Sequence, residues 1–173
     1  MKVLKFLLIF MLVTSCGSPR VIHDYDTTVN FDNFQSYDFY PNLITGLSEL
    51  DENRLLISIE RELQQKGLAI ASHPDLFVNV YTEEYQENSR NRLGVGVGGG
   101  GGHLGVGVSG SIPIGGPDFF LRITIDIIQV ENDQLVWQAI VESRFNRNAS
   151  PEVRQAQFDK LVEKAFKEYP PEN

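Results

Sequence analysis

Apolar and polar residues alternate from Phe119 to Val130: Leu121, Ile123, Ile125 and Ile127 fall on one side, Arg122, Thr124 and Asp126 on the other. A period of two marks a strand that is dry on one face and wet on the other. Glu131-Asn132-Asp133-Gln134 then reads as a hairpin loop. The return strand, Leu135 to Phe145, should set Leu135, Trp137, Ala139 and Val141 on one face. Leu76, Val78 and Val80 alternate in the same way with Phe77, Asn79 and Tyr81, and the polar, acidic stretch from Thr82 to Arg92 reads as that strand leaving the core. Shorter strand patterns lie at Val21-Ile22, running into His23-Asp24-Tyr25-Asp26, at Tyr37 to Tyr40 before Pro41, and at Leu68 to Ala71. Between the first two, Phe31 and Phe34 are expected to plug the core from beneath a loop.

In two places the period lengthens to that of a helix. Ser48 with Asp51 forms a capping signal, Leu55, Leu56, Ile59 and Leu63 make one stripe, and Gly67 stands where a left-handed terminator belongs. Ser150 and Pro151 open the second helix, Phe158, Leu161, Val162, Ala165, Phe166 and Tyr169 form its stripe, and Pro170-Pro171 ends it. Strands outnumber helices, and each helix has a single stripe to bury. The expected fold is therefore α+β in two layers: a mostly antiparallel twisted sheet, connected largely by hairpins, with both helices on one face.

Residues 94–116 hold 12 of the 15 glycines and form a glycine-rich insertion. Leu93, Val95 and Val97 alternate with glycine before Gly98–His103, and Leu104, Val106 and Val108 alternate after it. Folding about that loop sets Val97 against Leu104, Val95 against Val106 and Leu93 against Val108, so all six share one side. Val95, Val97, His103, Leu104 and Val106 are thus candidates for a contact surface. The stretch also contains Gly96-x-Gly98-x-x-Gly101, but no helix start follows it and no Lys or Arg lies between Arg92 and Arg122 to meet a phosphate.

The N-terminus has a different pattern. Lys2 and Lys5 precede an unbroken apolar run from Phe6 to Val13, and Leu12-Val13-Thr14-Ser15 leads into Cys16, the only cysteine. Eight apolar residues are too few to cross a bilayer, which takes about 20; they suit a secretory signal. Residues 1–15 are read as a lipoprotein signal peptide, Cys16 as the acylated residue, 16–20 as a short tether and 21–171 as one domain. The membrane is then reached through a diacylglyceryl cysteine. Gly17, rather than an aspartate, after Cys16 points to the outer membrane, on its periplasmic side.

Composition narrows the chemistry. The chain has 15 Lys+Arg against 23 Asp+Glu, a net charge of −8 that becomes −10 once Lys2 and Lys5 are removed. Such a surface repels phosphate backbones, so no nucleic acid is expected as a partner. Cys16 leaves no thiol for a disulfide or a thiolate metal site, and no cofactor or metal is expected. His23-x-x-Asp26 offers only two candidate ligands. Gly107-Val108-Ser109-Gly110-Ser111 lacks the last glycine of a nucleophile elbow. Glu83, Glu84 and Glu87 read as a solvated acidic face, and Trp137 as core.

Asp24-Tyr25-Asp26, Phe31 and Tyr37-Asp38-Phe39 resemble the opening of a family of bacterial envelope lipoproteins grouped as domain of unknown function 4136. The likeness continues through Arg54, Glu60, Leu63, Lys66-Gly67-Leu68, Pro74-Asp75-Leu76, Leu135-Val136-Trp137, Phe166 and Tyr169-Pro170-Pro171. It implies an envelope lipoprotein domain, frequently with a glycine-rich middle, and brings no catalytic residues. Two functions stay open. One is a non-enzymatic binding or structural module, with another envelope protein as partner. The other is an enzyme or small-ligand binder acting on cell-wall or glycan material through acidic residues.

Overall fold

The computed structural model describes residues 19–87, 92–94, 111–113 and 118–171, the two three-residue pieces by their backbone. The elements in order are β1 (Arg20–Tyr25), β2 (Ser36–Phe39), α1 (Glu49–Gln65), β3 (Ala69–Ile70), β4 (Leu76–Glu87), β5 (Arg92–Gly94), β6 (Ser111–Pro113), β7 (Asp118–Gln129), β8 (Gln134–Arg144) and α2 (Pro151–Ala165). Six strands form one sheet in the order β1-β8-β7-β4-β2-β3, and β5 pairs with β6 separately.

The central strands β4, β7 and β8 are antiparallel and long, as their alternation requires. Leu121, Ile123, Ile125 and Ile127 of β7 are fully buried, flanked by Leu76, Val78 and Val80 of β4 and by Trp137, Ala139 and Val141 of β8. Leu55, Ile59 and Leu63 of α1 and Phe158, Leu161, Val162 and Ala165 of α2 join the same core. Both helices therefore lie on one face of the sheet. Phe31 is buried and Phe34 packs against the core, both as expected from the sequence.

The helix ends follow their local chemistry. The Ser48 side chain accepts a hydrogen bond from the Asp51 N–H (3.4 Å), and Ser150 does the same for Val153 (3.5 Å). Gly67, at φ +88°, turns the chain out of α1, and the Leu68 N–H closes on the Leu63 carbonyl (3.0 Å). Across the helix pair, Asp51 accepts from Arg54 (2.7 Å) and from Arg154, while Asp159 accepts from Ser58 and Arg61 (2.7 Å each).

Three expectations are corrected. First, the sheet is mostly antiparallel as expected, but β2 runs parallel to β3 and to β4, because α1 carries the chain back along the sheet before the next strand begins. Only part of the sheet is hairpin-connected. Secondly, Leu135 does not face inward with Trp137. The register shifts between Ile127 and Ile128, so Ile127 stands opposite Trp137 and Ile128 opposite Leu135, leaving Val136 as the extra residue. A bulge reverses the facing of everything beyond it: Val136 is buried, and Leu135 is half-exposed on the other face. Thirdly, Leu93 pairs with Ile112 rather than Val108, four residues further along. The ladder at the base of the insertion pairs Arg92 with Pro113 and Gly94 with Ser111; residues 95–110 lie outside the described ones.

Because Ile127 is fully buried and Leu135 is not, truncation should separate them. Ile127→Ala is expected to lower stability by roughly 2–5 kcal/mol, and Leu135→Ala by no more than about 1 kcal/mol. Urea midpoints of the two variants check this; equal losses would restore Leu135 to the core.

Candidate functional site: the open face of the sheet

Among the described residues no helix covers the second face of the sheet, and register decides which side chains meet there. One row, across β1, β8, β7 and β4, reads Arg20, Glu142, Arg122, Glu83, alternating in sign. The next reads Ile22, Ile140, Thr124, Tyr81, and a third reads Asp24, Gln138, Asp126, Asn79.

The charged row is hydrogen-bonded throughout its middle. Arg122 donates to Glu142 through Nε (3.1 Å) and Nη2 (3.0 Å), and to Glu83 through Nη1 (3.2 Å). Its guanidinium lies 5.5 Å from the centre of the Tyr85 ring, which stacks on Phe120 at 5.6 Å and 15°. Burial pushes the Glu142 carboxyl up, but hydrogen bonds from Tyr85 and Arg122 outweigh it and hold the group below the usual carboxylate range. Burial, and then the bond to Glu142, raises Tyr85. The hydrogen bond to Glu142 raises Arg122 further.

The apolar row is dry at its centre. Thr124 is buried although no helix covers it, while Ile22 and Tyr81 at the two ends remain 56% and 42% exposed. In the third row Gln138 donates to Asp126 (2.7 Å). The face is thus a preordered strip of Tyr, Phe and Arg bordered by both signs of charge. Acid catalysis of glycoside cleavage needs a carboxyl held protonated, and Glu142 shifts the other way.

Of the residues singled out from sequence, Cys16, Val95, Val97, His103, Leu104 and Val106 lie outside the described residues, as does the Gly96–Gly101 pattern. His23 and Asp26 do not converge. The His23 ring faces the helix side, with Nε2 at 2.7 Å from the Ala165 carbonyl and Nδ1 at 3.4 Å from Glu168. Asp26 instead accepts from Thr28 and Gln134. Glu83 joins Arg122, and Glu84 holds Arg147 through two 2.8 Å bonds. Trp137 is core, stacked on Phe166 at 5.2 Å. A shallow cavity of about 590 Å³ at the loop end is lined by Asn30, Phe34, Asp75 and Glu131 among others. Asp75 is committed there as a structural tie: it accepts from the backbone of Gln35 and Ser36 and from the Ser36 hydroxyl, which hold it below the usual range. The charged row itself escaped sequence reasoning, which placed Arg122 on the wet face without its partners.

Residues 21–171 match the family described as domain of unknown function, DUF4136. The chain belongs to that family. No curated protein matches it. Among solved structures, a PDZ domain protein from Parabacteroides distasonis is 15% identical with a TM-score of 0.55; the match covers 90% of this chain and 37% of that one. The DUF4136 chain thus spans little more than a third of that protein's length. The PelC dodecamer from Paraburkholderia phytofirmans is 12% identical with a TM-score of 0.50, covering 86% of this chain and 94% of that one. A minor lipoprotein from Acinetobacter baumannii is 9% identical over 77% of this chain and 88% of that one, at a TM-score of 0.33 that carries no argument. At these identities the first two show a shared fold and nothing finer.

The charged row gives the domain a defined acid sensitivity. The folded-state pKa of Glu142 lies below its ordinary value of 4.5, so its contribution is fully present above that value and is lost as pH falls through the folded pKa. Stability of the unmodified chain should therefore fall more steeply on acidification than that of Glu142→Gln, measured as urea midpoints across a pH series. Parallel curves would remove Glu142 from the account.

Proposed function

We propose that this chain is a lipid-anchored cell-envelope protein, non-enzymatic in its role, whose open sheet face is a contact surface for another envelope protein. The observation that carries the reading is where the first strand begins. β1 starts at Arg20, with only three residues between it and the lipobox cysteine, Cys16. Gly17 to Pro19 reach at most about 11 Å, whereas a domain of this length has a radius of gyration near 15 Å. A body so tethered lies against the headgroups and meets only what is near that membrane. Two acyl chains hold firmly where one is marginal, and Gly17 after the cysteine fits the periplasmic side of the outer membrane. The open face supports a protein partner: Tyr, Phe and Arg are the side chains that dominate protein interfaces, and its alternating charges suit a surface carrying both signs. The net charge disfavours nucleic acid and anionic lipid.

Two measurements test this. Cys16→Ser should move the protein from the salt-washed membrane fraction to the soluble one; a variant that still pellets overturns the anchor. A photocrosslinker at Tyr81, in native membranes, should capture one recurrent envelope protein. Arg122→Glu should lower that yield about tenfold, since it reverses the charge at the centre of the face. An unchanged yield overturns the contact surface.

A further inference from the structure

One edge of the six-stranded sheet ends in β3, two residues long, and the other in β1, which is six. β1 pairs with β8 so that Ile22 stands opposite Ile140 and Asp24 opposite Gln138. The Asp26 N–H continues that ladder to the Val136 carbonyl (3.0 Å). Hydrogen-bonded pairs alternate along an antiparallel ladder, so the even-numbered residues bond to β8. The backbone groups of Val21, His23 and Tyr25 point to the open side. Among the described residues only one of them has a partner there, the Tyr25 N–H, which donates to the Asp24 carboxylate (2.9 Å). Exposed edges are usually blunted by charged side chains, proline or a bulge; β1 contains no proline and no bulge, and its two charged residues, Arg20 and Asp24, are of opposite sign.

We propose that β1 is the pairing edge of a two-fold dimer and that its partner is β1 of a second copy, running antiparallel about Ile22. The sequence Arg20-Val21-Ile22-His23-Asp24 complements itself in this register. Ile22 meets Ile22 of the second copy at the axis, in a non-hydrogen-bonded pair where Cα atoms approach to about 4.5 Å. Arg20 meets Asp24, twice. Val21 exchanges backbone bonds with His23, using the groups left open on each edge. Sliding by two residues sets Ile22 against Asp24 or against Arg20, and sliding by one mismatches the donors and acceptors. The ladder also ends itself. Opposite Tyr25, whose N–H is already taken, stands Pro19, which has none.

The rows of the open face carry this through. Glu83, Arg122, Glu142 and Arg20 alternate in sign up to the edge, and Asp24 of the second copy is the next negative charge. The apolar row ends at Ile22, 56% exposed, and meets its own image, which covers it. An isologous interface requires such self-complementarity. The dimer goes beyond the contact surface proposed above and does not depend on the anchor.

The test uses the full-length chain in native membranes. Ile22→Cys is expected to give a disulfide-linked dimer on mild oxidation, since the axial pair lies within the geometry a disulfide accepts. Tyr81→Cys, at the far end of the same row, and the unsubstituted chain with its own Cys16 should not. In the Ile22→Cys background, Arg20→Asp or Asp24→Arg alone should lower the yield about tenfold, as two attractive pairs turn repulsive. The two changes together should restore it. Sedimentation of the unsubstituted chain in detergent should show a dimer, a readout that needs no variant to fold. A monomer there, an Ile22→Cys yield no higher than that of Tyr81→Cys, or a double swap that fails to restore the yield would each overturn the proposal.

Discussion

The structure depends on one constraint: among the described residues, helices cover its sheet on one face only. Leu121, Ile123, Ile125 and Ile127 are fully removed from water, and burial of such side chains contributes about 1.5–3 kcal/mol each. Two helices suffice to cover that face. The element order then follows, since α1 must return the chain along the sheet between β2 and β4, and α2 must fold back after β8. The parallel pairing of β2 with β4 within an otherwise antiparallel centre is the consequence of placing α1 there.

Covering one face with two helices requires that they hold a fixed relation to each other. Asp51, 4% exposed, is shared between Arg54 of its own helix and Arg154 of the other. Asp159 is shared among Ser58, Arg61 and Gln155. Buried ion pairs add little net stability, because desolvation offsets most of the attraction, but removing one partner leaves a charge stranded. This polar seam therefore sets which residues of α1 face α2, while the apolar stripes below supply the burial.

The same one-sidedness produces the functional features. A sheet face without helices must satisfy its own charges, and register does so by setting Arg122 between Glu83 and Glu142 and under Tyr85. It also leaves β1 as a long edge beside the chain's entry into the domain. The ordered wet face and the long β1 edge meet at one end of the sheet, and both follow from where β1 lies in the strand order.

Much of this was legible in the sequence by itself. The strands of two-residue period, the helices with their Ser48 and Ser150 caps, the turn at Gly67 and the burial of Trp137 all rest on local chemistry and periodicity, which are properties of neighbouring residues. The lipobox expectation also rests on local signals, on residues outside those described. The open face was legible only in part, as Arg122, Thr124 and Asp126 on a wet side. Its partners depend on register, which depends on the bulge at Val136. Counting back from the Gln129–Gln134 pair without that bulge would set Arg122 opposite Val141, an outward residue against an inward one; the mismatch was the available signal. Leu135, the direction of β2 and the Leu93–Ile112 pairing were decided by tertiary structure for the same reason. Which residues stand opposite each other is settled by how the whole chain closes its core, and a run of residues carries no record of the strand that will lie beside it.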